Sequence, residues 1–558
     1  MKHILIITTC VLCVLAGSVA ARAQHESHLK AATGEDATRQ KPATLLRGFG
    51  EHRHPVSTKN AEAQRFFDQG LRLVYSFNHE EAVRSFQRAA ELDPQMAMAY
   101  WGIALAHGQS ITNPIIPHDQ QNVPYEAAQK ALSLSGNASE KERAYIEALA
   151  KRHTLDPKAS LKKLAIAYRE AMREVVKRYP DDLDAATMYA ESVIVLRPFQ
   201  LFWTPDGKPA ENTEEIIDVL ESVLKRDPAH IGAIHYYIHA VEASPNPERA
   251  LVYAVRLKSL MPGAGHLVHM PSHLHMRMGD YAAASRSNKE ALAADESFFK
   301  LRGTAGSYSA MFHTHTLQYL AIASAMEGRF ADAITTAKRL ERHVSPYLQK
   351  MAHLDAVNCM TPLILVRFRR WDDVLKLPEP EATKKVSNLY WHWARGMAYA
   401  ATRNVAEAEK EREIFSAAVK ATSPKTGFGT NRFVNILQVA EGMLVAKIAV
   451  AQRDYKSAIE VLKTTAEVED ALLYDEPPPW FLPVRESLGG ALLLSGDNAA
   501  AEQVFRADLE KHPRNGRALF GLLESLKRQK KKDAARPVER EFKAAWKNAD
   551  TQLRVEDL

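Results

Sequence analysis

Apolar and polar positions along this chain follow the spacing of paired amphipathic helices, with few β-branched runs and no strand-like alternation. Between Asn60 and Gln95, the aromatic Phe66 and Phe86 are interleaved with the small residues Gly70, Ala82 and Ala89, and Pro94 closes the unit. Small side chains let two helices approach and aromatic rings fill the space between them. Proline lacks the N–H that would continue the second helix. Pro228 and Pro262 are 34 residues apart (262 − 228). Similar openings of a second helix recur at Gly279-Asp280-Tyr281, Gly328-Arg329-Phe330, Arg370-Trp371, Arg453-Asp454-Tyr455 and Gly496-Asp497, and Phe505 and Pro513 close a late unit. The pattern predicts about ten helical hairpins between Asn60 and Ala549, an all-α solenoid. We divide it into N-terminal hairpins (60–182), a central His-rich set (183–345) and C-terminal hairpins (346–558). Residues 197–212, with Phe199, Phe202 and Trp203, are inserted between the helices expected at 183–196 and 213–226, as a lid or a packed surface loop.

Phe66, Gly70, Ala82, Phe86, Ala89 and Pro94 fall at positions 4, 8, 20, 24, 27 and 32 of a repeat that begins at Ala63. In this the chain resembles the tetratricopeptide repeat (TPR) family. The resemblance implies a right-handed superhelix whose concave groove, lined by positions 2, 5, 9 and 12 of each first helix, holds a peptide or partner helix. The segments His235–Ser244 and Ala264–His273 are also similar to a set of secreted bacterial TPR proteins, a likeness that implies no activity. Counting from Ile231, His235, His239 and Glu242 take positions 5, 9 and 12. Counting from Gly265, His266, His269 and His273 take positions 2, 5 and 9. His315 takes position 2 of a later repeat, Glu191 position 9 of an earlier one, and Cys359 position 5 of another. Phe67 and Trp101 occupy position 5 in the first two repeats, and with Trp203, Cys359 and Trp393 they form the expected partner-binding lining. The carboxylate-clamp variety of the family uses Lys, Arg and Asn at groove positions. This chain has His, Glu and aromatic residues there, so that ligand class does not carry over.

Nine of the 22 histidines lie in residues 230–315, which turns a scaffold question into a chemical one. Residues i and i+4 of a helix stand about 5–6 Å apart at Cβ, so His235/His239 and His269/His273 can each chelate an ion. First helices of neighbouring repeats pack about 8–10 Å apart, which lets side chains of equal register meet. Imidazole with a carboxylate suits zinc, copper or iron. Six histidines exceed the needs of one tetrahedral ion. Either two ions are held, or some residues orient the others or act as bases, for which Glu191 and Glu242 are the candidates. Pro271 cannot donate to the carbonyl four residues back, so the helix kinks or begins there. No nucleotide-binding or nucleophile-elbow motif is present, and no nucleotide cofactor is expected.

The charge sum, 73 − 67 = +6, has one basic run, Lys527–Lys532, and argues against nucleic acid as the main partner. Met1–Ala23 reads as a secretory signal peptide: Lys2 and His3 precede an apolar stretch, and Ala21-Arg22-Ala23 forms the cleavage site. Cleavage after Ala23 predicts a secreted or periplasmic protein without an integral membrane segment. Cys359 is then the one thiol, and residues 24–59 read as a flexible polar leader. Two functions fit these residues: a TPR scaffold whose groove holds a peptide and carries a His/Glu transition-metal site, or a metal-dependent hydrolase or oxidoreductase. The sequence leaves open whether the protein is an enzyme.

Overall fold

Phe86 shows why the helices pair. Its ring, on helix His79–Leu92, lies where a Cβ would stand on Gly70 of helix Ala61–Tyr75 or Gly102 of helix Ala97–His107, at 2.6 and 2.3 Å. Phe505 sits in the same way between Gly489 and Gly521, at 2.3 and 2.2 Å. Phe86 and Phe505 thus need glycine on the first helices to either side, and there hairpin stacks on hairpin. Asn60, Asp182, Asp280, Asp454 and Asp497 accept N–H groups of the first turn and start their helices. The turns between first and second helices pass through the left-handed region: Phe77 (φ 59°), Gly279 (72°), Gly328 (74°), Arg369 (56°), Arg403 (62°), Arg453 (65°), Gly496 (92°) and Lys530 (61°).

The computed structural model describes residues 43–558 except 115, 198–200 and 304–305. It is an all-α solenoid, with one two-residue hairpin pairing Gly427–Phe428 and Asn431–Arg432. The core forms two contiguous clusters, one running from Phe49 to Phe298 and the other from Tyr281 to Leu558. The array curls back on itself. Tyr281 Oη donates to the Pro513 carbonyl (3.2 Å), the Phe330 amide to Asp550 Oδ1 (2.7 Å), and Trp546 covers Gly328. Helix Phe433–Ala451 is long and apolar enough to cross a membrane, but 56% of it is buried and it packs against its neighbours in the solenoid.

Residues 43–59 correct the expectation of a flexible leader. The Gly263 amide donates to the Gly48 carbonyl (2.8 Å), Leu46 N–H to Gln69 Oε1 (2.6 Å), and His54 Nδ1 lies 2.8 Å from Asp184 Oδ2. Residues 24–42 and the signal-like segment lie outside the described residues. The 197–212 insert is anchored rather than free. Trp203 Nε1 donates to the Ala240 carbonyl (2.8 Å) and Phe202 is buried, while Phe199 lies outside the described residues.

Candidate metal centre

Helix Ile231–Val241 is preceded by His230, which caps it, and followed by Glu242 at its C-cap. It therefore projects His235, His239 and Glu242 from one face, as i, i+4 and i+7 spacing requires. The next repeat breaks as Pro271 demands: one short helix, Gly265–His269, carries His266 and His269, and a second, Pro271–Arg277, carries His273. His315 stands in the first turn of helix Thr314–Met326.

These six imidazoles form two groups of three, and in each group the Nε2 atoms converge. In the first, His235 Nε2 lies 3.2 Å from His239 Nε2 and 3.1 Å from His266 Nε2. In the second, His273 Nε2 lies 2.7 Å from His269 Nε2 and 3.4 Å from His315 Nε2. Nitrogens bound tetrahedrally at ~2.0–2.1 Å stand roughly 3.3 Å from one another; the two spacings of the first group and His273–His315 are close to that, whereas His269–His273 is drawn in to 2.7 Å. Each group could hold a metal ion, as could the set His239, Glu242, His273 and Glu476. Rings of opposite groups pack together, with centroids 5.8 Å apart for His239/His273 and 5.9 Å for His266/His269.

The partners of Nδ1 fix where the protons sit. His235 Nδ1 meets the Tyr75 carbonyl at 2.6 Å, which can only accept, so Nδ1 carries the hydrogen and Nε2 a lone pair. Glu242 Oε1 faces His239 Nδ1 (2.9 Å) and its Oε2 faces His273 Nδ1 (2.6 Å), with the same result for both. Asn288 donates its Nδ2 to the Ala284 carbonyl (2.8 Å), which turns Oδ1 toward His269 Nδ1 at 2.6 Å. In the first group the lone pairs of His235 and His239 therefore point at one another. Burial pushes His235, His266, His269 and His315 well below the ordinary histidine value, and His239 down to about 4. Burial acts the same way on His273, but Glu476 and Glu242 outweigh it and raise that ring to about 10. Glu476 is itself raised to about 7, by burial and by the charge of Glu242.

Aromatic rings close the space around the imidazoles. Phe77 lies with its centroid 4.2 Å from His235 and 5.2 Å from His266, and Tyr319 lies 4.8 Å from His273 and 4.9 Å from His269. Phe77 reaches its place from a left-handed backbone, a conformation costing a non-glycine residue ~1–2 kcal/mol. Such strain persists where the surroundings enforce it. Five of the histidines are buried and His315 is half-exposed, which marks the open side of the site.

Other expected site residues sit elsewhere. Glu191 pairs with Arg152 (3.7 Å), and burial raises its carboxyl. It borders a separate cavity of about 20 Å³ that Phe77 and Tyr236 also line, so it is not placed to act as base beside the histidines. Phe67, Trp101, Cys359 and Trp393 are buried core residues rather than an open lining, and Trp203 is half-buried on the insert. Two functional neighbours escaped the sequence reading. Glu476, whose carboxylate contacts His273 and lies 3.6 Å from His239, comes from the loop between helices Tyr455–Asp470 and Val484–Ser495. Asn288 lies on the following helix, with no motif around it.

The tetratricopeptide-repeat family profile matches residues 67–109 and 484–550. No curated protein matches the chain. Among solved structures, the human IFIT1 dimer with m7Gppp-AAAA is 13% identical, over 88% of this chain and 91% of that one, with a TM-score of 0.32. Yeast Tom70 is 10% identical, over 86% and 90%, with a TM-score of 0.27. The P58(IPK) TPR domain is 11% identical, over 85% and 99%, with a TM-score of 0.22. The two matched segments carry tetratricopeptide repeats, and the stretch between them is built of helical hairpins.

Proposed function

We propose that the protein is a dinuclear copper oxidoreductase built on a TPR scaffold, each ion held by three imidazole Nε2 atoms. The observation that carries this reading is the pair His235 and His239: both Nδ1 atoms face acceptors, so two lone pairs meet at 3.2 Å and need a cation. Two features favour copper. All six donors are imidazole nitrogens, whereas magnesium, calcium and manganese prefer oxygen. Two buried carboxylates, Glu242 and Glu476, stand behind the rings, and their two negative charges balance two Cu(I) ions. Two Zn(II) ions would need two further anions.

His235, His239 and His266 would hold one copper ion and His269, His273 and His315 the other, and such a pair would supply two-electron chemistry toward dioxygen. Half-exposed His315 marks the side from which an organic reductant would reach the site. The aromatic shell keeps bulk water away, and Glu242 holds one ring of each group in orientation. Export, as read from Met1–Ala23, belongs to the same proposal.

The test is metal analysis of protein loaded with Cu(I) anaerobically, followed by dioxygen uptake. Two copper per chain and one O₂ per two copper are expected. The double substitution His235→Ala/His273→Ala should remove both ions. Retained copper in that variant, or a preference for zinc without uptake, overturns the reading. A protein partner remains the second function, supported by the TPR match. Its docking face is not built from Phe67, Trp101, Cys359 or Trp393, which are covered.

A further inference from the structure

The C-terminal half contains a cavity of about 360 Å³ that the copper reading does not use. Its walls come from the first helices Lys385–Ala401, Phe433–Ala451 and Val484–Ser495 and from the turns that follow the first two. Much of the lining is apolar, with Met397, Met443 and Trp371. The polar part is one-sided.

Six cations border the cavity, and the only acids among its lining residues are Glu486 and Glu556. Glu486 is already engaged by Arg367 (3.3 Å), Arg517 (2.5 Å) and Asn515 (2.9 Å). Glu556 is exposed. That leaves Arg403, Lys447 and Arg453 without an ion pair among the described residues, while Arg369 is partly engaged by main-chain oxygens of Asp557 and Leu558 and the Asp557 carboxylate acts on both Arg369 and Lys447. Lys447 lies 5.8 Å from the Trp371 ring centroid and makes no ion pair or hydrogen bond among the described residues. Burial, then Arg369 and Arg517, push its ammonium well below the ordinary lysine value.

The three arginines have a common origin. Arg369, Arg403 and Arg453 are the left-handed residues of three turns that end first helices, where Gly279, Gly328 and Gly496 serve elsewhere in the array. Their proximity to helix C-termini accounts for part of their charge. It does not account for half-buried Lys447, which lies four residues before the end of its helix, nor for the convergence of all four groups on one cavity.

Chemistry at the mouth indicates what the cavity accepts. The main-chain oxygens of Asp557 and Leu558 accept hydrogen bonds from Arg517 and Arg369. The Leu558 side chain is buried against Gly490. An oxygen acceptor on arginine joined to an aliphatic group in the wall is the recognition pattern of an amphiphile. We propose that this cavity binds a small organic monocarboxylate, with its carboxylate on Lys447 and Arg369 and its aliphatic body against Met397, Met443 and Trp371.

The test uses full-length, copper-free protein with octanoate, octylamine and inorganic phosphate at fixed ionic strength, read by calorimetry. Octanoate should bind one per chain, octylamine and phosphate should not, and Lys447→Met should weaken octanoate at least tenfold. Lys447→Met should melt at or above the parent temperature, because it removes an uncompensated charge, so lost binding cannot be blamed on unfolding. Arg403→Gln/Arg453→Gln, both at exposed positions, should weaken octanoate and flatten its salt dependence. Equal octanoate affinity in the parent and Lys447→Met overturns the proposal. So does phosphate binding as tightly as octanoate, which would reduce the cavity to a patch of charge.

Discussion

An imidazole has two nitrogens, and what one of them touches decides what the other can offer. His230 and His235 are five residues apart and lead to opposite conclusions. His230 Nδ1 accepts the Ala233 amide (3.2 Å), so its Nε2 carries the hydrogen toward Asp184 Oδ1. In the cluster of His52, Asp184 and His230, that ring therefore turns an N–H rather than a lone pair toward the carboxylate. His235 is wired the other way, through the Tyr75 carbonyl. His230→Ala should leave copper content unchanged by plasma mass spectrometry. Glu242→Gln should weaken copper by roughly ten- to a hundredfold in competition with a chelator, with helicity by circular dichroism unaltered. At this scale the sequence was readable wherever helical register ruled: His235, His239 and Glu242 lie on one helix, and spacing alone places them together. Glu191 shares their groove register, but Arg152 draws it away. That pairing depends on a side chain from another repeat, which spacing does not encode.

Each element solves a local packing problem whose solution the site inherits. Gly265 opens the short helix before the Pro271 break, where a Cβ would lie 2.0 Å from Asp295 Oδ1. Asp295 in turn accepts from Tyr308 Oη (2.9 Å), which accepts the His266 amide (3.1 Å). Gly265→Ala should cost about 1–3 kcal/mol by overpacking, seen in urea unfolding, and should loosen copper through His266. The Pro271 break was legible because proline's missing donor is a local fact. The docking of residues 43–59 was not, because it rests on Gln69, Asp184 and Gly263 from distant repeats.

Glu486 links three C-terminal elements, Arg367 at the end of one helix and Asn515 and Arg517 at the start of another, to its own helix. Burial alone would raise its carboxyl, but the two arginines hold it at about 2, against 4.5 when free. Its folded value is depressed, so its contribution is present above pH 4.5 and lost as pH falls toward 2. The shift corresponds to about 3 kcal/mol. Melting temperature measured from pH 5 to 2 should fall more steeply in the parent than in Glu486→Gln, whose stability is lower at neutral pH.

Across the whole molecule, two cores share one site. Helices Ile231–Val241 and Gly265–His269 belong to the N-terminal core, while the helix that starts at Thr314 packs its Leu317 and Leu320 into the C-terminal one. Metal bound at both groups would therefore staple the halves. Copper at a thousandfold excess over its dissociation constant adds about 4 kcal/mol to the folded state. Calorimetry should show separate transitions for the two cores in copper-free protein and one higher transition when loaded, with His315→Ala keeping them apart. The array of hairpins was legible from its 34-residue period. Its curling-back was not, since Tyr281 meeting Pro513 and Phe330 meeting Asp550 leave no periodic trace.

The Glu476 contact with His273 spans 203 positions of chain (476 − 273). A ribosome works from the N-terminus, so every histidine of the site has emerged long before this carboxylate. During synthesis an early ion would meet six neutral rings backed by one negative charge instead of two. The second charge arrives only when the C-terminal repeats have formed and curled back. If the centre holds metal as proposed, its full affinity is expected only when the last third of the chain is complete.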